Sequence, residues 1–213
     1  MFRPNILSVV FLSTVLGSAD MRPVSALHLH PASPTVLDQD GRDTTRQVNV
    51  ADVKFMQGMI AHHAQAIVMS ALVTSRTSRN DLRLLAQRID VSQKDEIKLM
   101  QRWLRARQQD APDPEGPHEG HTMSHGMLMP GMLTAEQMNA LTASTGTEFE
   151  RLFLSGMIQH HQGAITMVKE LFSTNGAGQD AEVFRFASDV DTDQRAEIAR
   201  MQKLLDAMTG KAS

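Results

Sequence analysis

The chain predicts an all-α fold, a four-helix bundle built from two repeated helical hairpins. Three observations carry that prediction. Residues 55–69 (FMQGMIAHHAQAIVM) and 153–167 (FLSGMIQHHQGAITM) agree in register at 9 of 15 positions, and repetition on this scale marks two copies of one supersecondary unit. The likeness continues downstream: residues 85–104 and 186–205 share Ala, Asp, Gln, Glu, Ile, Met, Gln and Leu at matching places. Apolar residues recur at helical spacing, and no run alternates with period two, so no sheet is expected. A single hairpin would leave its apolar stripe in water, whereas two hairpins packed together bury both.

Each segment follows in order. Residues 1–26 open with Arg3 and carry an apolar run from Ile6 to Leu16, the length of a secretory h-region and too short to span a bilayer. Small residues at Gly17-Ser18-Ala19 and Val24-Ser25-Ala26 suit cleavage, so 1–26 reads as a signal peptide and the mature protein as periplasmic or secreted. Residues 27–48, with Pro31, Pro34 and Gly41, read as a flexible linker. The first hairpin, 49–108, starts at Asn49 with Asp52 in the first helical turn; its second helix starts near Ser78 with Asp81 in the first turn. Leu82, Leu85, Ile89, Ile97, Met100 and Leu104 form the apolar stripe of that helix.

Prolines and glycines break helical periodicity over 109–132, a His/Met-rich loop. The second hairpin spans 133–210, and 49–210 make one domain. Thr134 with Gln137 forms a capping box for a short helix, and Thr147 with Glu150 offers another for the third long helix. That helix ends at Asn175-Gly176; Asp180 caps the last one, which stops before Gly210.

Composition narrows the function. The net charge is −3, which gives no basic footprint for nucleic acid, and no membrane span is expected after signal cleavage. Cysteine is absent while methionine is used 15 times. In an oxidising compartment thioether and imidazole ligands cannot form disulfides.

The repeated motif places chemistry on one helical face. Phe55, Met59, His62, His63 and Ala66 fall in one arc, and Met157, His160, His161 and Ala164 repeat it. Met59 stands three residues before His62 and four before His63, so its sulfur shares their face. Buried imidazoles need partners: a metal ion, each other, or Glu96 and Glu197 at matching places on the partner helices. Soft thioethers beside imidazoles select Cu(I) or its mimic Ag(I) over Zn, Mg or Ca. Met69, Met100, Met167 and Met201 read as core filler. The loop adds His118, His121, Met123, His125, Met127, Met129 and Met132, a tract able to wrap a soft ion. A new amino terminus after Ala26 would bring His28 and His30 near a free amine able to bind Cu(II).

The motif GMIxHHxxAIxM at 58–69 and 156–167 resembles the bacterial domain of unknown function 305 family. So do the Glu-Ile-x-x-Met-Gln segments at 96–101 and 197–202, and Met129-Pro130-Gly131-Met132 followed by Thr134-Ala-Glu-Gln. The resemblance covers residues 50–208. It implies a ferritin-like four-helix fold and, by likeness to exported copper-binding members, core ligands at Met59, His62, His63, Met157, His160 and His161. A ferritin-like fold raises a metalloenzyme alternative, since di-iron bundles use Glu-x-x-His pairs. Here no Glu stands three residues before either histidine of a motif, and no nucleophile constellation is visible, so the chain is not read as an enzyme. The expected function is copper buffering, trafficking or resistance, with a copper-donating or copper-accepting periplasmic protein as partner. The rival expectation is a structural or interaction bundle without metal.

Overall fold

The computed structural model describes residues 48–114, 122–123 and 127–210. The expected signal peptide, the linker to residue 47, and His118, His121 and His125 lie outside the described residues. Four long helices carry the fold: α1 (Val50–Arg76), α2 (Asn80–Ala106), α4 (Gly146–Ser173) and α5 (Ala181–Thr209), with a short α3 (Ala135–Ala143) between the halves. α1 packs on α2 and α4 on α5, which are the two hairpins. α1 also packs on α4, which joins them.

The caps explain the boundaries. Asn49 accepts a hydrogen bond from the Ala51 N–H, and Asp180 accepts from Glu182 and Val183, so each side chain pairs amides that the first turn leaves free. Thr134 and Gln137 form the expected reciprocal box. Gly210 ends α5 at φ 69°, a left-handed backbone that suits glycine.

Two expectations are corrected. The Thr147–Glu150 box does not form, because α4 begins earlier, with Thr145 at the N-cap. Glu150 is buried and turns instead to Thr77, whose hydroxyl donates to it at 2.5 Å, with Arg79 at 3.5 Å. A tertiary partner thus outcompetes the local one. The absence of any sheet also fails in a small way. β1 (Thr122–Met123) and β2 (Met127–Leu128) pair antiparallel, Thr122 opposite Leu128 and Met123 opposite Met127.

The core is divided. One apolar cluster holds Phe55, Met59, Ile97, Met100, Met167, Val168, Phe186 and Val190; the other holds Met69, Val73, Leu82, Ile89, Phe149, Phe153, Met157 and Met201. On every long helix, polar residues stand between the two clusters: His62 and His63 on α1, Gln93 and Glu96 on α2, His160 and His161 on α4, Gln194 and Glu197 on α5. The molecule therefore has two greasy ends and a polar belt at mid-height. Burying each large apolar side chain stabilises the fold by about 1.5–3 kcal/mol. The belt gains far less from burial and has to be satisfied by pairing.

Candidate metal centre

The repeat folds so that its shared face points inward. His62, His63, His160 and His161 are at most 1% exposed, and Met59 and Met157 are fully buried. Where α1 and α4 meet, the His62 and His160 rings lie 3.8 Å apart between centroids. His63 and His161 flank them, 6.4 Å and 6.2 Å from their chain neighbours.

Each imidazole uses one nitrogen and leaves the other bare. His63 Nε2 meets Glu96 Oε2 at 2.5 Å, and His161 Nε2 meets Glu197 Oε2 at 2.6 Å, so both expected carboxylates take their places. His62 Nε2 donates to the Pro130 carbonyl at 3.0 Å, and His160 Nε2 donates to the His62 carbonyl at 2.9 Å. A carbonyl can only accept, so Nε2 carries the proton in the central pair. All four Nδ1 atoms are buried with no hydrogen-bond partner. Burial above all, then the neighbouring His63, pushes His62 down to about 3 despite the raising effect of the Pro130 bond. Burial and then His62 hold His160 well below the usual imidazole range. At neutral pH the central rings are uncharged, and their Nδ1 atoms are open lone pairs.

Residues 129–133 lie as a strap over the joint between α1 and α4. The Gln65 side chain clamps Leu133 on both sides, donating to its carbonyl at 3.0 Å and accepting from its N–H at 2.7 Å. Gln159 donates to the Gly131 carbonyl at 3.3 Å. The strap sits so close that a Cβ at Gly163 would lie 1.9 Å from the Pro130 oxygen, and Gly131 takes φ +76° with its backbone against α4. Glycine is required at both places.

The strap separates the loop methionines. Met129 and Met132 are buried in the first apolar cluster, with Met129 Sδ 3.4 Å from where a Cβ on Gly58 would stand. They thus belong to the bundle, not to the loop tract with which the sequence groups them. Met123 and Met127 pair through their backbone in the short ladder. Met69 and Met167 pack across the joint, each with its methyl near the glycine of the other repeat, Gly156 and Gly58 respectively. Met100 and Met201 fill opposite clusters.

Among the described residues no three His, Asp or Glu side chains converge on one point. Any metal here would be held by imidazole and thioether. The orphaned Nδ1 atoms fit such an ion, and the Glu96 and Glu197 carboxylates behind Nε2 are the partners that orient a metal-binding imidazole. Sequence reasoning missed Gln93 and Gln194, both buried with unpartnered amide oxygens. The signal was present, since the two glutamines match between the repeats, but only the fold shows that they face inward.

Comparison with known proteins follows the same outline. A DUF305 protein of Streptomyces coelicolor, given as secreted, is 31% identical, with TM-score 0.63 over 75% of this chain and 94% of its own. A DUF305 fragment from Deinococcus radiodurans is 30% identical, with TM-score 0.62 over 75% and 97%. CopM in its Cu(II)-bound form is 29% identical, with TM-score 0.58 over 73% and 96%, and CopM has also been solved with Cu(I) and with Ag bound. No curated protein matches the chain. The family model described as domain of unknown function (DUF305) matches residues 52–205. With its doubled His-His motif, its paired carboxylates and this match over most of its length, the chain belongs to the DUF305 family.

Proposed function

We propose that the chain is an exported metal-binding protein that holds Cu(I), or Ag(I) in its place, within the polar belt, and that it serves copper buffering, trafficking or resistance rather than catalysis. One observation carries the reading: four buried imidazoles spend Nε2 on a carboxylate or carbonyl and keep Nδ1 without a partner. Nitrogen lone pairs left bare in a core are destabilising until something accepts them, and a soft cation does so without bringing a proton. His62, His63, His160 and His161 would supply nitrogen. Met59, Met157 and the strap residues Met129 and Met132 would supply sulfur, and Glu96 and Glu197 would orient the outer rings. His118, His121, Met123, His125 and Met127 form a further capture tract in this reading.

Support also comes from CopM, a structural neighbour solved with Cu(I), Cu(II) and Ag. Export is supported by the apolar leader and by the secreted relative. Among the described residues no helix is long and apolar enough to cross a membrane. Anaerobic titration with Cu(I) against a chromophoric competitor tests the reading. Replacing His62, His63, His160 and His161 together abolishes binding at the belt; wild-type affinity in that variant sinks the proposal.

The metal-free bundle has one observation on its side, the two His–Glu pairs, which satisfy the outer rings in part. It leaves the four Nδ1 atoms unexplained. A crystal grown with Ag(I) separates the two readings, since unchanged His–Glu pairs with no silver beside them favour the bundle alone.

A further inference from the structure

The two repeats treat one buried acid differently. Asp52 on α1 and Glu150 on α4 hold matching places in the two copies, and both are buried. Each reaches the connector of the other hairpin. Glu150 meets a hydroxyl and a cation there, Thr77 at 2.5 Å and Arg79 at 3.5 Å. Asp52 meets a backbone amide, its Oδ1 accepting from the Gly178 N–H at 2.7 Å. The residue that matches Arg79 in the second repeat is Asp180. One end of the molecule thus sets a guanidinium beside its buried acid, while the other sets a second carboxylate.

Arg107 does not make up the difference. Its charge reaches Asp52, but its Nη2 already donates to Asp180 at 2.7 Å and to Glu182 at 2.9 Å. Burial, above all, raises the Asp52 carboxyl from its ordinary value; the Gly178 bond opposes this and Asp180 adds to it. Asp180 is itself fully used, by the amides it caps, by Trp103 and by Arg107. Asp52 Oδ2 has no hydrogen bond among the described residues, yet it is not sealed in as the four Nδ1 atoms are. Open space reaches it, and that space is a cleft of about 740 Å³ lined by Asp52, Asp180, Val48, Trp103 and Ala106 among others.

A buried carboxylate without a counter-charge is disfavoured. Among the described residues no three His, Asp or Glu side chains converge here, so a bare hard metal ion would lack oxygen ligands. An organic cation brings its own N–H donors, and an alkyl stem suits the apolar wall of Trp103, Val48 and Ala106.

We propose that the cleft between the start of α1 and the end of α2 binds a small organic cation, an alkylammonium or alkylguanidinium, whose N–H groups donate to Asp52 Oδ2 where the other repeat places Arg79. The site is separate from the metal belt, since Asp52 and His62 stand ten residues apart on α1, about 15 Å along the helix.

Trp103 is the sole tryptophan of the chain and lines the cleft, so its fluorescence reports occupancy. Metal-free wild type is titrated into the millimolar range with pentylammonium and pentylguanidinium chloride, against pentanol and sodium chloride as controls. The organic cations give a saturable change in Trp103 emission and the controls do not. The Gly178 amide signal in 15N spectra moves over the same concentrations. Asp52→Asn, which keeps an oxygen for the Gly178 N–H, weakens binding on the order of tenfold to a hundredfold, the worth of a hydrogen bond to a charged group. Lysine and arginine with blocked ends identify the source: their binding assigns the cleft to a side chain of a polypeptide, and binding of the free cations alone assigns it to a small molecule. No saturable change in wild type overturns the proposal, as does an equal response to pentanol or an Asp52→Asn variant that binds as tightly as wild type. The wild-type comparison decides even should that variant not fold, and no metal is added, so failure of the copper reading leaves the result unmoved.

Discussion

Acid unfolds the metal-free protein through its central imidazoles, and the size of the effect follows from His62. Its folded pKa is about 3 because burial disfavours the charged ring, against about 6.5 when unfolded. The unfolded chain therefore binds the proton first as pH falls. The contribution of the neutral ring is complete above pH 6.5 and is lost progressively toward pH 3. Between pH 7 and pH 4 the loss from His62 alone is about 3 kcal/mol, at roughly 1.36 kcal/mol per pH unit. His160 acts in the same direction. Against a total stability of roughly 5–15 kcal/mol for a domain, that is enough to move a urea midpoint well outside error. Urea unfolding followed by helical circular dichroism in EDTA at pH 7, 6, 5 and 4 gives the curve for wild type and for His62→Leu. The difference between the two proteins changes by about 3 kcal/mol across the range, the variant being the less acid-sensitive. A difference that stays constant from pH 7 to pH 4 refutes the argument, since it would mean that His62 takes up its proton equally in both states.

Other expectations follow from particular contacts. Gly163→Ala drives a methyl into the Pro130 carbonyl and dislodges residues 129–133; hydrogen exchange at Leu133 accelerates while exchange at the α2–α5 ends is unchanged, and equal protection in both proteins refutes the close approach. Glu96→Gln and Glu197→Gln each weaken Cu(I) binding about tenfold to a hundredfold in competitor titrations, the usual consequence of losing the carboxylate behind a ligating imidazole; unchanged affinity detaches the carboxylates from the site. Thr77→Val removes the hydroxyl that donates to buried Glu150 and lowers unfolding free energy by about 1–3 kcal/mol, read from denaturant midpoints at neutral pH. Asp180→Ala loses the cap of α5 together with the Arg107 and Trp103 contacts; helix capping alone predicts a loss of about 1 kcal/mol, and a smaller change means that water replaces the cap fully.

Much of this was legible from residue order. The His-His pairs, the partner carboxylates and the caps at Asn49, Thr134 and Asp180 all came from spacing, because helical periodicity fixes which side chains share a face. The misses share a different cause. Glu150 reads as a local cap until the chain brings Thr77 beside it. Met129 and Met132 read as part of a soft-ion tract because nothing local shows that residues 129–133 lie down on the bundle. The signal for that was indirect: Gly163 stands where the first copy has Gln65, one of six differences between the two copies of the motif, and the exchange makes sense only once the Pro130 carbonyl is seen against it. Gln93 and Gln194 were visible as identities in the repeat, but a glutamine on a helix is ordinarily a solvated residue, and periodicity alone did not overturn that default.

The substitution at positions 65 and 163 has a larger effect than its size suggests. A duplicated chain ought to be indifferent to which way its connector runs, since the two halves present matching surfaces. Here one half grips the connector through the Gln65 side chain and the other yields backbone space at Gly163, so the connector fits in one direction only. Sequence twins are thereby made into unequal rooms. His62 is tied to the connector, while its counterpart His160 is tied to α1, and an ion exchanging at the two would meet different surroundings at otherwise identical ligands.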